Sequence, residues 1–158
     1  MSRMPVHRIR VKVRKTDGKW ALDVDESGND NSIGKHPNPQ LISWELQDKE
    51  NNYRFVEMSH DPPGFSWFEP TSKNEEFFSK PELCKDCGNL TMDDWHQNNA
   101  SRGDYIYTLR VWISDSEWIE TQLTDPVIRE KASPGIGDTY DPCALRFLVT
   151  TNPRIKNT

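Results

Sequence analysis

No apolar run in this chain approaches the ~18 residues that cross a bilayer as a helix, and only 34% of its 158 residues are hydrophobic. The opening residues, Met1 to Arg8, lack the apolar block of a secretion signal. Three cysteines are too few, and odd in number, for a disulfide framework. These absences predict a cytoplasmic protein with no membrane partner. Catalytic vocabulary is missing as well. The chain has no nucleophile-elbow motif, no phosphate-cradling glycine loop and no metalloprotease histidine pair. Ser59-His60-Asp61 supplies triad residue types, but three adjacent residues cannot take up triad geometry together. The prediction is a protein that is not an enzyme.

What is present is aromatic. Six Trp, four Tyr and six Phe offset the low apolar content, because each buried ring removes a large area from water. The length predicts one domain over 1–158. From Tyr105 to Ile113 the odd positions Tyr105, Tyr107, Leu109, Val111 and Ile113 share one face of an extended chain, opposite Ile106, Thr108, Arg110 and Trp112. His7, Ile9, Val11 and Val13 alternate in the same way with Arg8, Arg10 and Lys12. Thr16-Asp17-Gly18-Lys19 reads as a turn, returning the chain as a strand over 20–24. Ile42, Trp44 and Leu46 mark another strand, with 53–58 expected beside it, and further strands are expected at 105–114, 117–123, 127–130 and 144–150. Residues 59–103 lose the pattern and read as a loop-rich insertion with short helical turns at 75–78 and 92–97. The fold class predicted is all-β, a two-sheet antiparallel β-sandwich.

The succession Ile42-Ser-Trp44-Glu-Leu46, Tyr53-Arg-Phe55, Tyr105-Ile-Tyr107-Thr-Leu109-Arg-Val111 and Asp125-Pro126-Val127-Ile128 resembles small bacterial cupredoxin-like or immunoglobulin-like sandwich proteins. The resemblance implies a sandwich and carries over no functional residue. A cupredoxin-like fold raises the question of copper, whose blue sites cluster Cys, His and Met on one loop. Neither His nor Met follows Cys143, and Met92 precedes His96 after Cys84 and Cys87. Copper is not expected.

Cys84-Lys-Asp-Cys87-Gly88 offers two thiolates at the spacing of half a tetrahedral zinc site. His96 and Cys143 would complete a set of three Cys and one His if the fold gathers them. The alternative is a loop bearing two thiols and no cofactor. Asp23 to Gly34 opens like a calcium loop but ends on Gly34 where a bidentate Glu is required, so a polar hairpin end is the better reading.

Charge is segregated. Residues 1–20 carry seven Lys and Arg against Asp17 alone, a net of +6 that leaves −11 for the rest of a chain whose total is −5. An acidic whole argues against nucleic acid. Arg8, Arg10, Lys12 and Arg14 are candidates for an acidic partner, or else guard an edge strand against aggregation. Phe65, Trp67 and Phe68, with Trp20, Trp95 and Trp118, are candidates for stacking on apolar peptide or sugar rings. The function expected is a non-catalytic binding or assembly module, through a protein partner or self-association. Zinc binding and carbohydrate recognition are the alternatives.

Overall fold

The chain first reverses at Asp17-Gly18. Both residues hold positive φ, 52° and 77°, as a two-residue type I′ turn requires, and the twist of that turn matches the strands it joins. The strands are β1 (Val6–Thr16) and β2 (Lys19–Val24), paired antiparallel. The structure, a computed structural model, describes residues 5–25, 32–47, 52–68, 70–84, 88–121, 129–130 and 153–158. Within them follow β3 (Ser32–Ile33), β4 (Gln40–Leu46), β5 (Arg54–Phe55), β6 (Phe65–Trp67), helix α1 (Ser72–Phe77), β7 (Glu82–Leu83) and β8 (Asn89–Asp94). A 3-10 turn at Asn99–Ser101 leads to β9 (Gly103–Trp112), β10 (Glu117–Glu120), β11 (Arg129–Glu130) and β12 (Arg154–Asn157).

These strands make an all-β sandwich of two mixed sheets. The first has the order β2-β1-β4-β8-β7; the second runs β11-β10-β9-β12-β3, with β5 and β6 also on β9. Strand β9 organises the second sheet by using both of its edges. Odd residues bond to one side, Tyr107 N–H to the Pro153 carbonyl and the Leu109 carbonyl to Thr121 N–H. Even residues bond to the other, where Arg110 N–H meets the Gly64 carbonyl and the Arg110 carbonyl meets Val56 N–H.

Period-two burial follows the register. Ile9, Val11, Ile42, Trp44, Leu46, Leu90 and Met92 point inward from the first sheet, against Tyr105, Tyr107, Leu109, Val111, Phe55, Phe65, Ile119 and Ile155 from the second. The Trp44 indole N–H donates to the Tyr107 hydroxyl at 2.9 Å, a buried bond that ties the two layers. Phe65 stacks on Tyr107 with centroids 5.4 Å apart and meets Trp44 at 5.2 Å. A smaller cluster of Val56, Trp112 and Trp118 lies on the far side of the second sheet, where Arg110 and Glu120 form a largely buried ion pair at 2.9 Å.

Five placements differ from the sequence expectations. The sheets are not purely antiparallel: β1 and β4 run parallel, as do β12 and β3. Parallel neighbours need a crossover rather than a hairpin, and β2 and β3 lie on the path from β1 to β4. Phe55 belongs to the second sheet, paired with Val111 on β9, while β4 lies between β1 and β8. Residues 92–97 are not helical, because Leu90, Met92 and Asp94 alternate inward along β8. The span 59–103, expected to be loop-rich, supplies β6, α1, β7 and β8. Strand β12 was not anticipated, and 144–150 lies outside the described residues.

Candidate functional site

The basic row rises from the pleat of β1. Because side chains two apart share a face, Arg8, Arg10, Lys12 and Arg14 project outward at intervals of roughly 6.8 Å while Ile9 and Val11 point to the core. Arg8 reaches Glu45 on β4 at 2.9 Å, and Arg14 pairs with Asp23 on β2. Among the described residues Arg10 and Lys12 have no ion-pair partner. The register gives β1 the partner β4 over Val6–Val11 and β2 over Val11–Thr16, so each cation of the row lies on a stretch with one paired side in that register. The row stands on the outer face of the first sheet.

The same face ends in an apolar corner. Val6 pairs with Leu41, and Leu41 with Asp93, across the first sheet. Trp95 follows Asp93 by two residues, which returns its side chain to the outer side. Val6 and Trp95, 46% and 41% exposed, are the two exposed large hydrophobic residues among the described ones. The outer face therefore combines a row of cations with an indole and two aliphatic side chains.

The other aromatic candidates sit inside. Phe65 is 2% exposed and belongs to the core. Trp67 is half-buried, with its ring 4.9 Å from Phe78 and 5.0 Å from Phe65. Phe68 is half-buried and bonds its N–H to the Ile106 carbonyl. Trp20 lies edge-on to Tyr53, and Trp118 is buried. Phe65, Trp67 and Phe68 thus form no surface platform; Trp95 is the one exposed indole among the described residues.

The proposed zinc set is also dispersed. Cys84 is exposed, bonded through its backbone and thiol to the Asn89 carbonyl at one end of β8. His96 lies beyond the other end, seven residues further along, roughly 20 Å of extended chain away. It is fully buried. The two cannot share one ion, and Cys87 and Cys143 lie outside the described residues. No group of three metal-binding side chains occurs among the described residues.

A polar cluster closes one end of the interior, and its Asp94, Ser101 and Asn157 were not foreseen. The Asn157 amide, on β12, donates to Asp94 Oδ1 at 3.1 Å across the sandwich and to the Ser101 carbonyl at 3.1 Å. Tyr105 Oη donates to that same carbonyl at 2.8 Å. His96 Nδ1 meets Ser101 Oγ at 2.7 Å, and Ser101 Oγ reaches the Asn98 carbonyl. A hydroxyl has one proton, so Ser101 Oγ donates either to the Asn98 carbonyl or to His96 Nδ1, and the tautomer of His96 follows that choice. With both residues fully buried, Ser101 and His96 do not form a nucleophile and base.

Burial sets the acid–base character of this cluster. It pushes the Asp94 carboxyl up to about 7, opposed by the Asn157 hydrogen bond. Burial, and then the nearby Lys35 charge, lowers His96. Tyr105 is raised by burial, then by Asp94 and Glu76. Asp94 Oδ2, His96 Nε2 and Asn157 Oδ1 are buried without a hydrogen-bond partner among the described residues. The alternation of Leu90 and Met92 was the available signal, because its continuation places Asp94 inside.

Outside this cluster, a cleft of about 190 Å³ lies between the first turn of α1 and the start of β9, lined by Thr71, Lys73, Asn74, Arg102 and Gly103 to Ile106. Its inner polar groups are committed: Asn74 Oδ1 accepts from Thr71, Tyr105 Oη donates to Ser101, and Asp104 faces Arg154.

Fold and surface together define a mixed-sheet all-β sandwich whose first sheet carries the Arg8, Arg10, Lys12 and Arg14 row on its outer side, among the acids Asp23, Glu45 and Asp93. No protein-family model and no curated protein matches the chain. No helix among the described residues is long and apolar enough to cross a membrane.

Proposed function

We propose that the protein is a non-catalytic binding module that engages an acidic polypeptide surface through the outer face of its first sheet. One observation carries this reading: Arg10 and Lys12, without an ion-pair partner among the described residues, and the exposed Val6 and Trp95 at the other end of the sheet rise from the same side. Cations in a row steer an acidic partner, while Trp95, roughly 20 Å along β8 from the level of Arg10, offers an anchor for a partner long enough to span the sheet. A second copy of the chain is one such partner, since residues outside 1–20 sum to −11. A reducing, cytoplasmic setting fits the exposed Cys84 thiol.

The experiment is a titration with a fluorescent peptide of alternating Glu and Leu residues, alongside light scattering of the protein alone. Binding is expected to weaken about tenfold or more between roughly 50 and 300 mM salt. Arg10→Glu with Lys12→Glu, and separately Trp95→Ala, are each expected to abolish it. Equal binding by these variants, or equal binding of an oligonucleotide, refutes the assignment. Salt-sensitive dimers in light scattering identify the second copy as partner.

A further inference from the structure

We propose that β12 is docked by a proton-controlled latch, in which the neutral Asp94 carboxyl holds Asn157 across the sandwich and ionisation of Asp94 loosens the strand. The geometry supplies the lock. Asp94 points inward from β8 in the first sheet, and Asn157 points inward from β12 in the second. Their 3.1 Å bond spans the interior, and Asp94 is fully buried.

The surroundings give the carboxylate little support. Gln40 on β4 stands opposite Asp94 in register, and its side chain is occupied by His7 and the Gly34 carbonyl. Phe78, after α1, bridges Asp94 from the other side. From β9 comes the neutral Tyr105 phenol, which itself feels Glu76. The 3-10 turn contributes Ser101, and His96 with Lys35 near it lies two residues along the chain. None of these gives Asp94 an ion pair among the described residues. Ionisation strengthens the Asn157 bond itself, but the cost of burying a carboxylate with one amide donor and no cation outweighs that gain, and the neutral form costs less. Burial accordingly pushes the Asp94 carboxyl up to about 7.

Hydrating the charge requires something to move, and β12 is the weaker wall. It meets β9 over four register pairs and β3 over two, with Ile155 as its buried apolar side chain. Strand β8 is held to β4 by six pairs and contributes Leu90 and Met92. An opened Asp94 titrates near ~3.9. Opening therefore becomes about tenfold more favourable per pH unit between that value and the closed-state value, then levels off. His96 acts with the opposite sign, since its depressed closed-state pKa favours opening as pH falls below ~6.5.

Hydrogen exchange of β12 amides, referenced to β4 amides in the full chain, tests the latch. Taking the ratio of wild type to Asp94→Asn removes the His96 contribution common to both. That ratio of β12 protection is expected to fall about tenfold per unit from about pH 5 to 7 and stay level above. A flat ratio, or equal loss from β12 and β4, overturns the latch. Should Asp94→Asn not fold, carbon NMR of the wild-type Asp94 carboxyl decides the matter. A midpoint near 7 that moves the Asn157 side-chain amide resonances in step supports the proposal, and a midpoint near ~4 refutes it.

Discussion

Two glycines separate the reasons a side chain is excluded. Gly18 has φ of +77° with nothing within 4 Å of where a Cβ would sit, so its constraint is conformational alone. A Cβ on Gly64 would lie 2.1 Å from the Val56 carbonyl oxygen. There the chain passes from β5 to β6 while Arg110 on β9 bonds to both, and the obstruction is backbone that cannot rotate away. Gly18→Ala is expected to cost about 1 kcal/mol, and Gly64→Ala about 2–3 kcal/mol through displaced backbone. Urea midpoints at constant slope check both; equal costs would contradict the distinction.

At the scale of elements, strands were legible where apolar and polar residues alternate without interruption. The hairpin of β1 and β2, the inward face of β4 and β9 from Tyr105 onward follow from spacing, because alternate residues meet the core; the second face of β9 is covered as well, with Thr108 and Trp112 buried. β8 was obscured by an acid at an inward position: Asp94 reads as solvent-facing although it is fully buried. β5 could be recognised as extended but not assigned to a sheet, since two residues of pairing leave no sequence mark of their partner. The basic row was legible as a row. Its place beside β4, and the apolar corner of the sheet, emerged only from the register that brings Val6 beside Leu41. The zinc pairing of Cys84 with His96 failed because β8 separates them lengthwise. If Arg10 and Lys12 are a binding surface and not a structural one, replacing both with Ser should leave stability within about 0.5 kcal/mol of wild type. Chemical denaturation at low and high salt measures this; a loss above about 1 kcal/mol would assign them to the fold.

For the whole molecule, the buried Asp94 and His96 oppose one another. The raised pKa of Asp94 means that the folded chain holds a proton the unfolded chain has released, so this contribution to stability is full below ~4 and lost as pH rises to about 7. The lowered pKa of His96 contributes stability above ~6.5 that fades as pH falls. The stability difference between Asp94→Asn and wild type should therefore grow by up to about 4 kcal/mol from about pH 4 to pH 8. Denaturant titrations of both proteins at each pH provide the measurement, and a constant difference would show that Asp94 ionises normally.

The corner occupied by Trp95 also gives the protein an optical address. Trp44, Trp112 and Trp118 are buried, whereas Trp95 stands in water. A quencher dissolved in water should therefore reach this indole first and extinguish the red edge of the emission. Any ligand that settles on the sheet would shield this one fluorophore, so its occupancy can be followed without a label.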